Sequence, residues 1–339
     1  MAKLDRRIRE EMSPFFKVNL TRYWIDLIFS VILFWTGFLI SLIGWGRPLG
    51  LMGLTLSILV VYRLGVFLHE FVHHPRKMSA LIRFHEWTFG HWVGLTFLGY
   101  TVHQLHHSPK SYGTNDDPEY TPVVSNVYFG VLISFLFALV SPIFLLVRYS
   151  IVALVLPFLP QFIKRQIFQK ASSQAFNPRF MRPTSPDNEI QKLAWREFPA
   201  GLIRTSILGL ILVGILTQKV IFVYYLTISG AMLINMLRAL FAHKYASTGD
   251  SMQFDEQIQD SINIEGGTWM ELIAPLGLQY HALHHIFNQI PGHQLRGAHK
   301  KMKELNYDWY NNVSYKSLLS VTADRLKIPN NAIAEQRKD

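Results

Sequence analysis

The chain repeatedly runs through some twenty apolar residues without a break, and that feature restricts its folds more than any other. From Trp24 to Trp45 it reads WIDLIFSVILFWTGFLISLIGW, with Asp26 as the single charge. This is enough helix to cross a hydrocarbon core of about 30 Å at 1.5 Å per residue. Leu51–Leu68 is a second block, interrupted only by Arg63, whose charge must snorkel or face the protein interior. The link between the two is the short GRPLG. A third block, residues 126–160, exceeds one crossing, and Ser141-Pro142 near its middle predicts a kink or a short hairpin. Leu202–Thr217 and Val220–Ala242, separated by Gln218-Lys219, read as a further helical hairpin. Backbone amides find no water in lipid, so blocks of this length must be helices. The expected fold is an all-α integral membrane protein with two to three transmembrane helical hairpins.

Charge distribution sets the topology. Only 17% of residues are charged, against about 25% in a soluble domain, and the net charge is +10. Such a surplus suits either nucleic acid, through its phosphates, or the cytoplasmic flanks of membrane helices. The apolar blocks favour the second, so no nucleic-acid partner is expected. Residues 1–22 are polar and basic without an apolar core, unlike a cleavable signal peptide. Lys3, Arg6, Arg7, Arg9, Lys17 and Arg22 precede or flank the first block, while the following link carries only Arg47. The N-terminus is therefore expected in the cytoplasm, and two crossings return the chain there just after Leu68. The expected organisation is a cytoplasmic N-terminal segment (1–22), a membrane domain (23–300) and a cytoplasmic C-terminal tail (301–339), with no internal repeat.

The chain has fourteen His and no Cys. Thiolate catalysis, disulfides, iron–sulfur clusters and Cys-ligated zinc are thereby excluded, and any transition metal must sit on nitrogen or oxygen. Ten of the His are gathered in four places: His69, His73 and His74 in HEFVHH; His103, His106 and His107 in HQLHH; His243 in ALFAHKY; and His281, His284 and His285 in HALHH. Positions i, i+3 and i+4 share one helix face, so a box of this spacing aims its imidazoles one way. At this His frequency HxxHH would arise by chance about 0.02 times in such a chain, and it occurs twice. Scattered interfacial His is thus a poor account. Crowded neutral imidazoles waste hydrogen bonds and charged ones repel, and a metal ion relieves both. Nine or ten imidazoles exceed the ligands of one ion, which points to two metals. His69 follows the second block and His243 the last, so both emerge at one membrane face. Residues 87–101 are apolar but too short for a comfortable crossing, and are expected to lie in or dip into the interface. The boxes would then sit on a cytoplasmic helical cap.

With these boxes in this order, the chain resembles the membrane fatty acid desaturases, within the wider group of His-box non-haem di-iron membrane oxidoreductases. The resemblance covers most of residues 24–300 and includes the lone His243 and the run HALHHIFNQIPGH. It implies a membrane-bound, oxygen-dependent acyl desaturase that introduces a double bond into a fatty acyl chain. The implied cofactor is two Fe ions, with O2 as co-substrate. Carried over box by box, the implied metal ligands are His69, His73, His74, His103, His106, His107, His243, His281, His284 and His285. The third box opens on His281, where desaturases acting towards the carboxyl end often have Gln. No HPGG motif is present, so no fused cytochrome b5-like domain is expected. Electrons would come from a separate donor, ferredoxin or cytochrome b5-like, and basic residues in 161–200 and 296–303 offer it a dock or serve anionic lipid. The substrate would be a fatty acyl lipid or acyl thioester drawn from the surrounding membrane lipids.

Three other activities fit parts of the pattern. An acyl or lipid hydroxylase would share every metal ligand. A zinc hydrolase would use His69-Glu70-Phe71-Val72-His73 as HExxH, with Glu70 as general base and a third ligand to complete the site, and leave seven clustered His unexplained. A metal-binding transporter would carry its ionisable groups along the spans instead of at one face. Among the other residues, His85 and His91 suit ligand-orienting or interfacial roles, His299 follows the third box, and His293 suits a place near a lipid headgroup. Asp116, Asp117, Glu119, Asp250, Asp260 and Glu265 read as solvated loop residues or as acceptors for a ligand's far N–H. Arg238 is expected to face the bundle. Trp87, Phe89, Trp92 and Phe97 suit an acyl tunnel or an interfacial belt.

Overall fold

The computed structural model describes residues 6–120 and 126–327. Parts of both expected tails, residues 1–5 and 328–339, lie outside the described residues, as does 121–125. Nearly all of the regular structure in the described residues is helical. Its principal helices are α1 (Leu20–Ile43), α2 (Pro48–His73), α3 (His103–His106), α4 (Val127–Val147), α5 (Asp187–Leu212), α6 (Lys219–Leu240), α7 (His281–Ile286) and α8 (Gly292–Leu305). A two-stranded parallel ribbon pairs Asn263–Ile264 with Ser314–Tyr315.

Among the described residues, four helical stretches are long and apolar enough to cross a membrane: Leu20–Ile43, Pro48–His73, Val127–Phe158 and Lys219–Leu240. The protein is an integral membrane protein. The long third stretch is no hairpin: α4 runs on through a π-turn at Arg148–Val152 to Phe158 without a loop, with Pro142 inside it. The block Leu202–Thr217 does not begin its own helix. Its first eleven residues are the apolar end of α5, whose beginning, DNEIQKLAWRE, is polar, and Gly214 at φ 78° turns the chain towards α6.

The chain divides into two compact units. The first comprises 20–103 and 135–234. There α1 and α2 pack through small residues. A Cβ on Gly50 would stand 2.3 Å from the Gly44 carbonyl oxygen, and one on Gly53 2.6 Å from the Ser41 nitrogen. Such close backbone approach supplies the dispersion contact that lipid-immersed helices need in place of a hydrophobic drive. Two of the charges in these helices meet: Arg63 donates through Nη2 to Asp26 Oδ2 at 2.5 Å and through Nε to Oδ1 at 3.0 Å. Opposite them, Ile25, Phe29, Ile32, Leu51 and Met52 are exposed, as lipid-facing positions must be.

The expected interfacial helix at 87–101 is broken into a π-turn (Glu86–Gly90), one turn at His91–Val93 and another at Phe97–Tyr100. Gly94, at φ 86°, makes the break. Carbonyls freed there need donors where water is excluded. Arg204 Nη1 donates to Trp92 O at 2.8 Å, Tyr224 OH donates to Val93 O at 3.0 Å, and Trp35 Nε1 donates to Thr88 O at 3.0 Å. A buried ion pair, Arg148 Nη2 to Glu197 Oε2 at 2.7 Å, ties the π-turn to α5.

The second unit comprises the described parts of 1–19, 104–134 and 235–339. One core gathers Met12, Ile258, Leu283, Leu295, Met302 and Tyr310 around α7 and α8. A smaller one is Tyr112, Tyr120, Leu240 and Tyr245. The short helix α7 is fixed at its start, where Leu283 N donates to Asn263 Oδ1 at 3.0 Å, and Ile264 N donates to Gln279 O at 2.8 Å.

Candidate metal centre

In the second unit four imidazoles converge. His106 ends α3, His243 follows α6, and His281 and His285 lie one turn apart on α7. All four are buried, and one nitrogen from each lies within 4.8 Å of the others. Three contacts are Nε2 to Nε2: His281–His243 at 2.8 Å, His106–His243 at 3.2 Å and His285–His281 at 3.2 Å. Nitrogens held at about 2.0–2.1 Å from one ion stand some 3–4 Å apart, so the set is close to a coordination sphere.

The far sides of the rings determine what the near sides can be. Both oxygens of Asp117 lie 3.0 Å from His106 Nδ1. A carboxylate only accepts, so Nδ1 carries the proton and Nε2 presents a lone pair. Tyr112 OH stands 2.8 Å from His243 Nδ1 and donates to Asp260 Oδ2 at 2.7 Å. With its one proton so used, the phenol accepts from His243 Nδ1, and His243 Nε2 is also a lone pair. Two lone pairs do not rest 3.2 Å apart without a cation between them. A proton would bridge one of the three contacts; a metal ion answers all three. The donor set fits a metal that accepts imidazole nitrogen, which includes Fe, Zn, Cu and Ni.

The local electrostatics point the same way. Burial alone would depress His106, but the Asp117 carboxylate outweighs it and raises the imidazole above its ordinary range. Burial, aided by neighbouring imidazoles, holds His281 well below it. Burial also raises the Tyr112 phenol, with the Asp260 charge adding to the effect, so the phenol stays protonated. Two carboxylates thus press negative potential on a nest of imidazoles, which is an environment for a cation.

The remaining box histidines fall into two sets. His107 and His284 approach to 3.2 Å, Nε2 to Nε2, in the second unit. In the first unit the rings of His69, His73 and His103 lie 4.6–5.3 Å apart. His74, which caps α2, is buried and belongs to neither set nor to the four-imidazole cluster. Glu70 is buried with its carboxylate engaged by the Tyr23 hydroxyl and 3.7 Å from His69 Nδ1.

Of the acidic residues noted in the sequence, Asp117 and Asp260 orient imidazoles, while Asp116 and Asp250 are exposed. Asp117 is itself held by the backbone N–H groups of Gly113, Glu119 and Tyr120. Glu265 lies 3.6 Å from His299 and 3.5 Å from Lys303. His85 donates to Leu64 O at 3.0 Å and packs on Phe71 and Phe89, and the His91 ring meets Trp87. Arg238 Nη2 donates to Asn235 Oδ1 at 3.0 Å. His293 is half-buried at the start of α8. Trp87 is exposed, Phe89 is buried against Phe34, and Trp92 lines an apolar cavity of about 230 Å³ with Phe34, Phe38 and Leu208. Sequence reasoning missed Tyr112, Tyr120 and Tyr23, because a tyrosine outside a box carries no spacing that marks it.

A model of the fatty acid desaturase family matches residues 44–317, which include all ten box histidines. The chain belongs to the fatty acid desaturase family. It is accordingly an oxygen-dependent oxidoreductase of the di-iron type, and the hydrolase and transporter readings fall away. A ceramide hydroxylase of Caulobacter vibrioides (strain NA1000 / CB15N) is 32% identical over 293 residues, covering 84% of this chain and 82% of that protein. That relative favours hydroxylation over the desaturation expected from the boxes. No solved structure matches the chain. Desaturase-family boxes carry this ambiguity because both reactions begin by removing a hydrogen from an alkyl carbon and use the same ligands.

Proposed function

We propose that this chain is a lipid hydroxylase that inserts one oxygen atom from O2 into a C–H bond of a ceramide-like lipid. The observation that carries the reading is the 32% identity to a ceramide hydroxylase across 84% of the chain. The four-imidazole cluster supports it as one half of the required metal centre. His106, His243, His281 and His285 would hold one iron. His69, His73, His103, His107 and His284 are the ligands left for the second, and His74, set apart from them, is the weakest of the ten assignments. A bound iron pair supplies the activation of O2 and the removal of hydrogen from an unactivated carbon.

The chain's own residues have separate tasks. Asp117 fixes the tautomer and direction of His106, and Asp260 does so for His243 through Tyr112. Burial of all four rings keeps water from the reacting atoms. The apolar cavity of about 230 Å³ in the first unit is lined by side chains that suit an alkyl chain. We place the N-terminus and the boxes on the cytoplasmic side, from the basic residues of 1–22. Electrons would arrive from a separate ferredoxin or cytochrome b5-like protein, docking on the basic stretches 161–200 and 296–303.

The test is mass spectrometry of ceramide incubated with iron-loaded enzyme, a reductant and isotopically heavy O2. A gain of one heavy oxygen atom supports the hydroxylase, and a loss of two hydrogens without oxygen restores the desaturase. His285→Ala should abolish either product while leaving membrane insertion intact.

A further inference from the structure

Beside the four-imidazole cluster, the second unit buries three tyrosines in a row. Tyr112 and Tyr120 are fully buried and Tyr245 is 5% exposed. Ring centroids are 5.1 Å apart from Tyr112 to Tyr120 and 5.0 Å from Tyr120 to Tyr245. The Tyr112 ring is 5.1 Å from that of His106 and 5.5 Å from that of His285. Phenylalanine would fill the same core without burying a hydroxyl. The hydroxyls of the first two tyrosines share one acceptor: Tyr112 donates to Asp260 Oδ2 at 2.7 Å, and Tyr120 lies 3.4 Å from Asp260 Oδ1. A phenol yields an electron readily only when a base takes its proton in the same event, and Asp260 is placed to be that base for both. Tyr245 differs. It donates to a neutral carbonyl, Ala239 O, at 3.1 Å, and the Arg325 guanidinium lies 5.6 Å from its ring. A cation over the ring and a weak proton acceptor both oppose its oxidation.

We propose that Tyr112 and Tyr120 form a redox-active pair that supplies an electron to the metal site when an oxidising equivalent there finds no substrate. The proposal rests on the reading that the four-imidazole cluster holds iron. In the step, Tyr112 loses one electron to the site, its O–H bond breaks, and the proton passes to Asp260 Oδ2. A neutral phenoxyl radical and a protonated Asp260 remain. Tyr120 can then give an electron to Tyr112, with Asp260 returning the proton to Tyr112 and accepting that of Tyr120, so the hole moves one ring further. Tyr245 and Arg325 stop it there. One electron from the donor that the reaction already consumes restores the phenol as Asp260 releases its proton. The pair protects the ligand imidazoles from oxidation during uncoupled turnover.

The experiment mixes reduced, iron-loaded enzyme with O2 in the absence of lipid substrate, freezes it, and records electron paramagnetic resonance with iron content measured on the same sample. The expected result is a tyrosyl signal that narrows when the protein carries ring-deuterated tyrosine. It should be lost in Tyr112→Phe and retained in Tyr245→Phe. Repeated uncoupled turnover should inactivate Tyr112→Phe several-fold sooner, with oxidation found by mass spectrometry on His106 or His285. If Tyr112→Phe does not retain iron, 3-fluorotyrosine placed at position 112 in one protein and at position 120 in another decides the matter, since it keeps the hydroxyl and adds a fluorine splitting when the radical rests on that ring. Iron-replete wild-type enzyme without a tyrosyl signal, a signal unchanged in Tyr112→Phe, or a signal that shows no fluorine splitting in either fluorinated protein overturns the proposal. Wild-type enzyme that takes up no iron refutes the metal reading instead.

Discussion

His106 turns its Nδ1 between the two oxygens of Asp117, 3.0 Å from each, with both side chains fully buried. That contact fixes the proton on the far side of the ring and leaves the near nitrogen for a metal. Asp117→Asn removes the charge, and its amide can present N–H instead of an acceptor. Loss of such a partner typically costs about 10–100-fold in metal affinity or activity. The expected outcome is iron loss from Asp117→Asn at chelator concentrations that leave wild type loaded, with helical content unchanged. Equal iron retention, by elemental analysis after dialysis, would show that Asp117 does not support the ligand.

The contact between α1 and α2 predicts intolerance at one glycine. A Cβ on Gly50 would lie 2.3 Å from Gly44 O and 2.5 Å from Gly44 C, both backbone atoms that cannot rotate aside. Gly50→Ala should therefore force the helices apart and cost about 1–3 kcal/mol. Gly65, with nothing near its added Cβ, is the control. Thermal melting in detergent should fall for Gly50→Ala and hold for Gly65→Ala; similar values for both would remove the close-packing account.

Much of this organisation is legible from residue type and spacing. The blocks at 24–45 and 51–68 are helices in one hairpin, because twenty apolar residues have no other stable form in lipid. The HxxHH boxes bring His281 and His285 to one face of α7, because i and i+4 are neighbours on any helix. The errors have physical causes too. A proline signals a break, yet helix continues past Pro142, where Ser141 Oγ donates to Phe137 O at 2.6 Å and neighbouring backbone carries on the ladder. Apolar length also missed that α5 begins in polar sequence 15 residues before Leu202, since its first turns are held by partners such as Glu197 with Arg148. The roles of Asp117 and Asp260 were visible only as options. A carboxylate's partner depends on which loop returns to it, and 143 residues separate the two in the chain. Tyr112 could not be foreseen at all, because its function comes from His243 and Asp260, 131 and 148 residues away.

Acid should weaken the second unit through His299. Burial holds this imidazole down at about 4, and its Nδ1 pairs with Tyr310 OH at 2.6 Å while the ring stacks on Tyr280 at 4.5 Å. The unfolded imidazole titrates near 6.5. Because the folded value is the lower one, the unfolded chain binds more protons between them. The contribution is complete above about 6.5, and is lost as the pH falls from there towards 4, by up to about 3 kcal/mol. The melting temperature of wild type in detergent should drop between about pH 7 and about pH 5 more than that of His299→Gln. Parallel losses in the two proteins would assign the acid sensitivity elsewhere.

The ion pair between Arg148 and Glu197 makes a prediction in which the double variant outperforms a single one. Both side chains are buried, 2.7 Å apart, and Arg148 Nε also donates to Ala171 O at 2.8 Å. Glu197→Gln leaves the guanidinium without its counter-charge in a medium that solvates it poorly, which typically costs about 3–5 kcal/mol. Replacing both partners by apolar residues of similar size, Arg148→Met with Glu197→Leu, removes the stranded charge along with the attraction. That exchange is often neutral or stabilising for a buried pair. Detergent melting should therefore place Glu197→Gln well below wild type and the double variant nearer to it. A double variant no more stable than Glu197→Gln would mean that the pair is needed for its directed hydrogen bonds across the π-turn, and not merely as two charges that cancel.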